Sequence, residues 1–255
     1  MPSSFSIIIP VKHGGHVKAI EHLKKSVPEN INYEVLLAEG CSPSLQRNLA
    51  AAEASGDILY FLDDDSLIRS ENLSLCSTLF SDLKIAVVGG PSLTPTTDSW
   101  LQKLFGAALA SAFGSGAVNK RYRKFGKTRE TTDKELILCN LAVRRSVFAA
   151  LGGFNESLYP NEENEFIERV VAEGYKLIHN PDMHIFRSQR VTLKAFIRQM
   201  FSYGRGRGEQ TLITRSYSLI SFVPLLFVIY VAFTLVFIKY DLLLVPLMLY
   251  LSAAL

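Results

Sequence analysis

Ile58-Leu59-Tyr60-Phe61-Leu62-Asp63-Asp64-Asp65 sets five apolar residues directly before three carboxylates. A short uninterrupted apolar run predicts a buried strand, and the charge at its end predicts delivery to the sheet edge where ligands of open α/β sheets collect. Three adjacent carboxylates repel one another, so the cluster reads as one neutralised by a hard divalent cation. Side chains alternate along an extended chain, which puts Asp63 and Asp65 on one face. A solvated acidic turn is the alternative reading.

Toward the N-terminus, Phe5 to Val11 is a β-branched run, followed by a polar loop with Gly14-Gly15 and a helical stretch from about Val17 to Ser26. Tyr33 to Ala38 predicts a second strand that exits through Glu39-Gly40, and Ser44 to Ala54 a second helix stopped at Gly56. Strand, helix, strand, helix, strand is the order of a parallel sheet with right-handed crossovers, an α/β domain of nucleotide-binding type. Ile85 to Gly90 predicts a further strand and Ser99 to Gly114 a further helix.

SIIIPVK (6–12) and VLLAEGCSPSLQRNLAAAEASGDILYFLDDDS (35–66) together resemble the opening half of family 2 glycosyltransferases with the GT-A fold. The resemblance implies a mixed, mostly parallel sheet flanked by helices. It implies that Pro10 and Val11 border a nucleotide-sugar, a UDP-sugar for preference, and that Glu39 meets its base, with Arg47 and Asp64 in the same donor site. Asp63 and Asp65 would flank the diphosphate and a Mg²⁺ or Mn²⁺ ion. Arg187 stands roughly where the family has a metal-side histidine; His184, close by, reads as a sheet residue first and as a candidate third ligand second.

The block CNLAVRRSVFAALGGFNESLYPNEENEFIERVVAEGYKLIHNP (139–181) is similar to the family's acceptor side, where a Gly-Gly-Phe turn precedes an acidic motif at a helix start. The resemblance makes Glu163 the base for an inverting transfer, with Glu162 able to exchange roles. Read from the residues alone, Asn161 can cap this helix, and the acids of its first turn suit the positive end of its dipole.

Leu193, Phe196, Ile197, Met200 and Phe201 repeat at helical spacing, an apolar stripe for a membrane interface or for packing under the preceding domain. Gly204-Arg205-Gly206-Arg207 offers forked donors on permissive backbone, which suggests that Arg205 and Arg207 close over a phosphate. The family's processive Gln-x-x-Arg-Trp motif is not matched: Gln199 precedes Met200-Phe201-Ser202, and the only tryptophan is Trp100. Ser216 to Ile238 carries no charge, enough for one membrane span, whereas Leu242 to Leu255 is a shorter uncharged run, re-entrant or incomplete.

The expected organisation is a catalytic domain over 1–190, an interfacial segment over 191–215 and a transmembrane region over 216–255. Arg205, Arg207 and Arg215 before the span, against Lys239 after it, place the catalytic domain on the cytoplasmic side of a bacterial plasma membrane. The acceptor expected there is a lipid-linked or glycan hydroxyl in polysaccharide synthesis.

Lys120 to Arg129 is a basic stretch, either a solvated loop or a contact for anionic lipid or a lipid diphosphate. Nucleic acid is not expected as a partner, since the net charge is only +3 and no recognition motif accompanies it. Cys41, Cys76 and Cys139 lack metal-ligand spacing and read as reduced thiols. A nucleotidyltransferase on a related sheet and a membrane scaffold without turnover are the other functions compatible with the sequence.

Overall fold

The computed structural model describes residues 4–26, 31–215, 222–237, 239 and 241–254. Its first half runs β1 (Phe5–Val11), α1 (Lys18–Ser26), β2 (Tyr33–Glu39), α2 (Pro43–Glu53), β3 (Ile58–Leu62), β4 (Leu67–Ile68), α3 (Asn72–Leu79), β5 (Ile85–Gly89), β6 (Ser92–Leu93), α4 (Trp100–Ala110) and α5 (Ala112–Ser115). There follow β7 (Arg129–Glu130), β8 (Asn140–Arg144), α6 (Arg145–Ala150), α7 (Glu162–Ala172), β9 (Lys176–His179), β10 (Ile185–Phe186), α8 (Leu193–Thr214), α9 (Val223–Val236) and α10 (Leu244–Ala254).

Seven strands form one sheet in the order β2-β1-β3-β8-β5-β9-β7. β1 pairs parallel with β2 and β3, and β5 with β9; β8 lies antiparallel between β3 and β5, and β7 antiparallel on β9. Strand direction is therefore mostly parallel, as expected, with β8 reversing it at the centre. Alternating side chains divide the interior between the two faces. Phe5, Ile7, Ile9 and Tyr60 pack on one side, while Ile8, Leu59 and Phe61 pack on the other. There Phe61, Phe148, Phe154 and Phe166 form a ring cluster with centroids 5.0–5.4 Å apart.

A second sheet, β4-β10-β6, is small but positions the site. β10 pairs antiparallel with β4 and parallel with β6, and the pairing continues beyond it as Arg187 N donates to the Leu93 carbonyl at 2.9 Å. The expected helix over 99–114 is divided. Ser99 and Gln102 form a capping box at the start of α4, and Ser111 then turns extended and caps α5 through Phe113 N.

The contacts divide the chain into Met1–Gly206 and Arg207–Leu255, with α8 contributing to both. In the second unit, Tyr230 of α9 donates to the Leu243 carbonyl at 2.6 Å and accepts from Leu247 N at 3.1 Å. The expected span over 216–238 lies partly outside the described residues. Among the described residues no helix is long and apolar enough to cross a membrane. α9 has 14 residues. At a rise of about 1.5 Å per residue it reaches roughly 21 Å, against a hydrocarbon core of about 30 Å.

Candidate active site

Parallel pairing brings three strand ends to one edge of the large sheet. Val11 pairs with Glu39, and β3, beside β1, runs directly into Asp63. Gln46 of α2 ties the first two ends together, its Nε2 donating to the Val11 carbonyl at 3.0 Å and to the Ala38 carbonyl. Pro10, Val11 and Glu39, the expected nucleotide contacts, thus share this edge. Glu39 is exposed, with Oε2 3.2 Å from His13 Nδ1.

The aspartate triplet is held as a turn. Ser66 N donates to the Asp63 carbonyl and accepts Asp63 N on its hydroxyl, at 3.1 and 3.2 Å, while Ala19 N donates to the Asp64 carbonyl at 3.0 Å.

α7 enters the same neighbourhood through Gly152-Gly153-Phe154. Both glycines have positive φ, +77° and +73°. Asn48 of α2 accepts Phe154 N at 2.9 Å and donates to the Phe154 carbonyl at 2.8 Å, so a Cβ at Gly153 would stand 2.6 Å from Asn48 Oδ1. The glycine allows the turn to press against α2.

Asn161 does not cap α7 as expected. It sits at φ 106° without a side-chain cap, and its Oδ1 accepts from the Asn164 side chain at 2.7 Å. Glu162, Glu163 and Glu165 occupy the first turn, where the dipole favours acids, and Glu165 is spent on Arg169 at 2.8 Å.

One chain of ion pairs joins the two acidic motifs. Arg47 donates to Glu162 Oε1 at 2.9 Å and to Asp63 Oδ1 at 3.0 Å. Arg187 pairs with Asp63 Oδ2 at 3.0 Å and donates through Nε to Asp65 Oδ1 at 2.6 Å. Arg121 Nη1 lies 3.7 Å from Glu163 Oε1 and donates from Nη2 to Asn164 Oδ1 at 2.7 Å. Burial opposes ionisation of Asp63, but Arg187 and Arg47 together outweigh it and hold its pKa below the usual value. Burial, then Glu163, push Glu162 up to about 7 despite Arg47. Burial and the flanking Asp65 and Asp63 raise Asp64.

The donor set does not fit Mg²⁺ or Mn²⁺ as arranged. Both oxygens of Asp63 and one of Asp65 are taken by guanidinium groups, and among the described residues no group of three or more His, Cys, Asp or Glu could hold an ion. His184, the candidate third ligand, is turned to other partners: its Nδ1 lies 3.4 Å from Arg69 Nη1 and its ring meets Phe186 edge-on. Burial and Arg69 lower its pKa.

The glycine-hinged clamp expected at 204–207 is helix instead. Gly204 to Arg207 lie inside α8, where Arg205 donates to the Tyr159 carbonyl at 3.1 Å and Arg207 to Gln210 Oε1 at 3.1 Å. Gly206 has a packing role, since a Cβ there would run into the Pro160 carbonyl. Part of the basic stretch from Lys120 is already paired within the domain. Lys120 and Arg129 both bind Glu135, and Lys124 binds Asp182.

Arg121 is a site residue that the sequence did not mark, since it stands inside a basic run and nothing local separates it from its neighbours. Arg187 was marked only by its place near the family's metal-side histidine, without its pairing to Asp63 and Asp65.

The sequence profile described as "Glycosyl transferase family group 2" matches residues 58–255. The chain belongs to that family. ExoA, a succinoglycan biosynthesis protein of Rhizobium meliloti (strain 1021), is 26% identical over 246 residues, covering 84% of this glycosyltransferase and 72% of ExoA. WbaN, an O-antigen chain rhamnosyltransferase of Salmonella anatum, is 30% identical over 159 residues; these are 61% of this chain but 48% of WbaN.

Among solved structures, the mannosyltransferase PcManGT from Pyrobaculum calidifontis, in complex with GDP-Man and Mn²⁺, superposes with TM-score 0.58 at 14% identity, covering 88% of this transferase and 68% of that chain. S. aureus TarS 1-349 with UDP-GlcNAc superposes with TM-score 0.51 at 16% identity, covering 74% of this chain and 59% of that one. This transferase spans 36% of the longer S. aureus TarS chain. At these identities the likeness shows a shared GT-A-like fold.

Proposed function

We propose that this transferase moves a sugar from a nucleotide-sugar to an acceptor hydroxyl with inversion, in the synthesis of a cell-envelope or extracellular polysaccharide. The observation that carries the reading is the Glu162-Arg47-Asp63-Arg187-Asp65 chain of ion pairs. It fixes an acidic helix start next to the aspartate turn at the ligand edge of the sheet. Such a pairing of sites suits a base for the acceptor on one side and charge compensation for the leaving diphosphate on the other. The names of ExoA and WbaN support polysaccharide as the product. The GDP-Man and UDP-GlcNAc complexes of the structural neighbours support a nucleotide-sugar, with a UDP-sugar as the first candidate.

Pro10, Val11 and Glu39 border the nucleotide, and Asp63, Asp64 and Arg47 shape the diphosphate end. Glu163 takes the acceptor proton. Of the two glutamates it has the looser ion pair, 3.7 Å against 2.9 Å, and its side chain is 10% exposed against 2% for Glu162. Glu162 then acts as a positioning residue that holds Arg47 against Asp63.

The acceptor we propose is lipid-linked, with the catalytic unit on the cytoplasmic face of a bacterial plasma membrane. The exposed apolar stripe of Leu193, Ile197 and Phe201 on α8 and the uncharged stretch 216–238 support it. Labelled nucleotide-sugars, offered with a bacterial lipid extract, test the reading: label should pass from one donor class into the organic phase. Transfer only to water-soluble glycans would remove the lipid carrier, and transfer to neither would remove the reaction.

A further inference from the structure

Arg187 is the hub of the aspartate turn. Its backbone extends the small sheet through Leu93, and its Nε and Nη2 reach Asp65 Oδ1 at 2.6 Å and Asp63 Oδ2 at 3.0 Å. With Arg47 on Asp63 Oδ1, guanidinium groups hold three of the four carboxylate oxygens of Asp63 and Asp65. A Mg²⁺ ion shared by Asp63 and Asp65 needs at least one oxygen of Asp63 at about 2.0–2.1 Å, and both are occupied. It would have to displace a fixed, permanently charged group whose positive charge repels it. Arg47 and Arg187 offset the charges of Asp63 and Asp65, and Arg190 brings a further positive charge close to the same turn.

The guanidinium of Arg187 is also reachable, its side chain being 21% exposed. It lines a recess together with Ser92, Tyr122, Arg190, Gln199 and Tyr203. Arg190 is oriented there by Nε donating to Gln199 Oε1 at 3.1 Å. Arg187 spends Nε and Nη2 on the aspartates and keeps Nη1, while Arg190 keeps both Nη groups, as charged N–H donors for the oxygens of a departing diphosphate.

We propose that Arg187 and Arg190 supply the positive charge for the leaving diphosphate that a divalent cation would otherwise give, so that this transferase binds and cleaves its donor without metal. The proposal rests on the glycosyl-transfer reading of the same site. The acceptor oxygen bonds to the anomeric carbon as the bond from that carbon to the diphosphate oxygen breaks. The electron pair stays on the diphosphate oxygen, whose charge the guanidinium N–H groups stabilise by donating hydrogen bonds, and the acceptor proton passes to Glu163.

Calorimetric titration of the native chain with UDP and with GDP, in EDTA and then in Mn²⁺, tests this. One nucleotide should bind equally in both conditions, within a factor of about two, and Arg190→Gln should weaken it about tenfold or more. Arg187→Gln should lose nucleotide affinity and gain Mn²⁺ binding, read by the manganese spin-resonance signal, because Asp63 and Asp65 are released. If Arg187→Gln does not fold, Arg190→Gln and the EDTA comparison decide. Nucleotide binding that needs Mn²⁺, or unaltered binding by Arg190→Gln, overturns the proposal while leaving glycosyl transfer standing. Binding of neither nucleotide in either condition overturns the functional reading itself.

Discussion

Glu162 and Glu163 are both buried, but Glu162 pairs tightly with Arg47 and Glu163 only loosely with Arg121, and that contrast can be measured. Glu163→Gln keeps shape and removes proton affinity, so turnover should fall by roughly 10²–10⁴ with nucleotide affinity unchanged. Glu162→Gln should cost less, since glutamine still accepts from Arg47. An acid limb of kcat/KM near pH 7 that disappears in Glu162→Gln would transfer the base role to Glu162, whose pKa is raised to about 7.

Stability carries a second signature of the same residues. Because the folded pKa of Glu162 lies above its usual 4.5, the buried carboxyl is neutral between those values, and its cost appears as pH rises toward 7. The melting-temperature gain of Glu162→Gln over the native chain should therefore grow from pH 5 to pH 8, by at most about 3 kcal/mol in equivalent stability. Asp63 behaves oppositely. Its folded pKa is depressed, so its contribution is present above 3.8 and is lost as pH falls through the folded value.

At the scale of elements, the turn before α7 is set by Asn48 and Gly153. Gly153→Ala combines positive φ with a collision against Asn48 and should destabilise by about 1–3 kcal/mol in denaturant unfolding. Asn48→Ala loses both bonds to Phe154 and should lower turnover as well, since α2 also carries Arg47; full activity would show that the turn does not position the site. Local signals made much of this legible. The Ile58-to-Asp65 run gave strand and carboxylates, and the Gly-Gly-Phe pattern gave the turn. The antiparallel entry of β8 was hidden, because strand direction is decided by pairing across the sheet and leaves no mark on Asn140 to Arg144. Gly204 to Arg207 misled for a related reason. Glycine signals permissive backbone, whereas here it sits in a helix and Gly206 serves close packing on Pro160.

For the whole molecule, the reaction class was readable because several ordered motifs converge on one edge. The ion-pair chain that links them was not, since Arg47 and Arg187 come from segments distant in sequence from each other and from Glu162. Membrane attachment is tested separately. The full chain should sediment with anionic phospholipid vesicles, and salt should weaken but not abolish binding if the apolar stretches insert.

Nucleotide release from a donor panel, compared between the native chain and Asp63→Asn with matched circular dichroism, tests the central claim most directly. Asp63 is the junction of Arg47 and Arg187, so the account predicts release from one donor class by the native protein and a loss of about a hundredfold or more in the variant. Release from no donor, or an unchanged rate in Asp63→Asn, would contradict it.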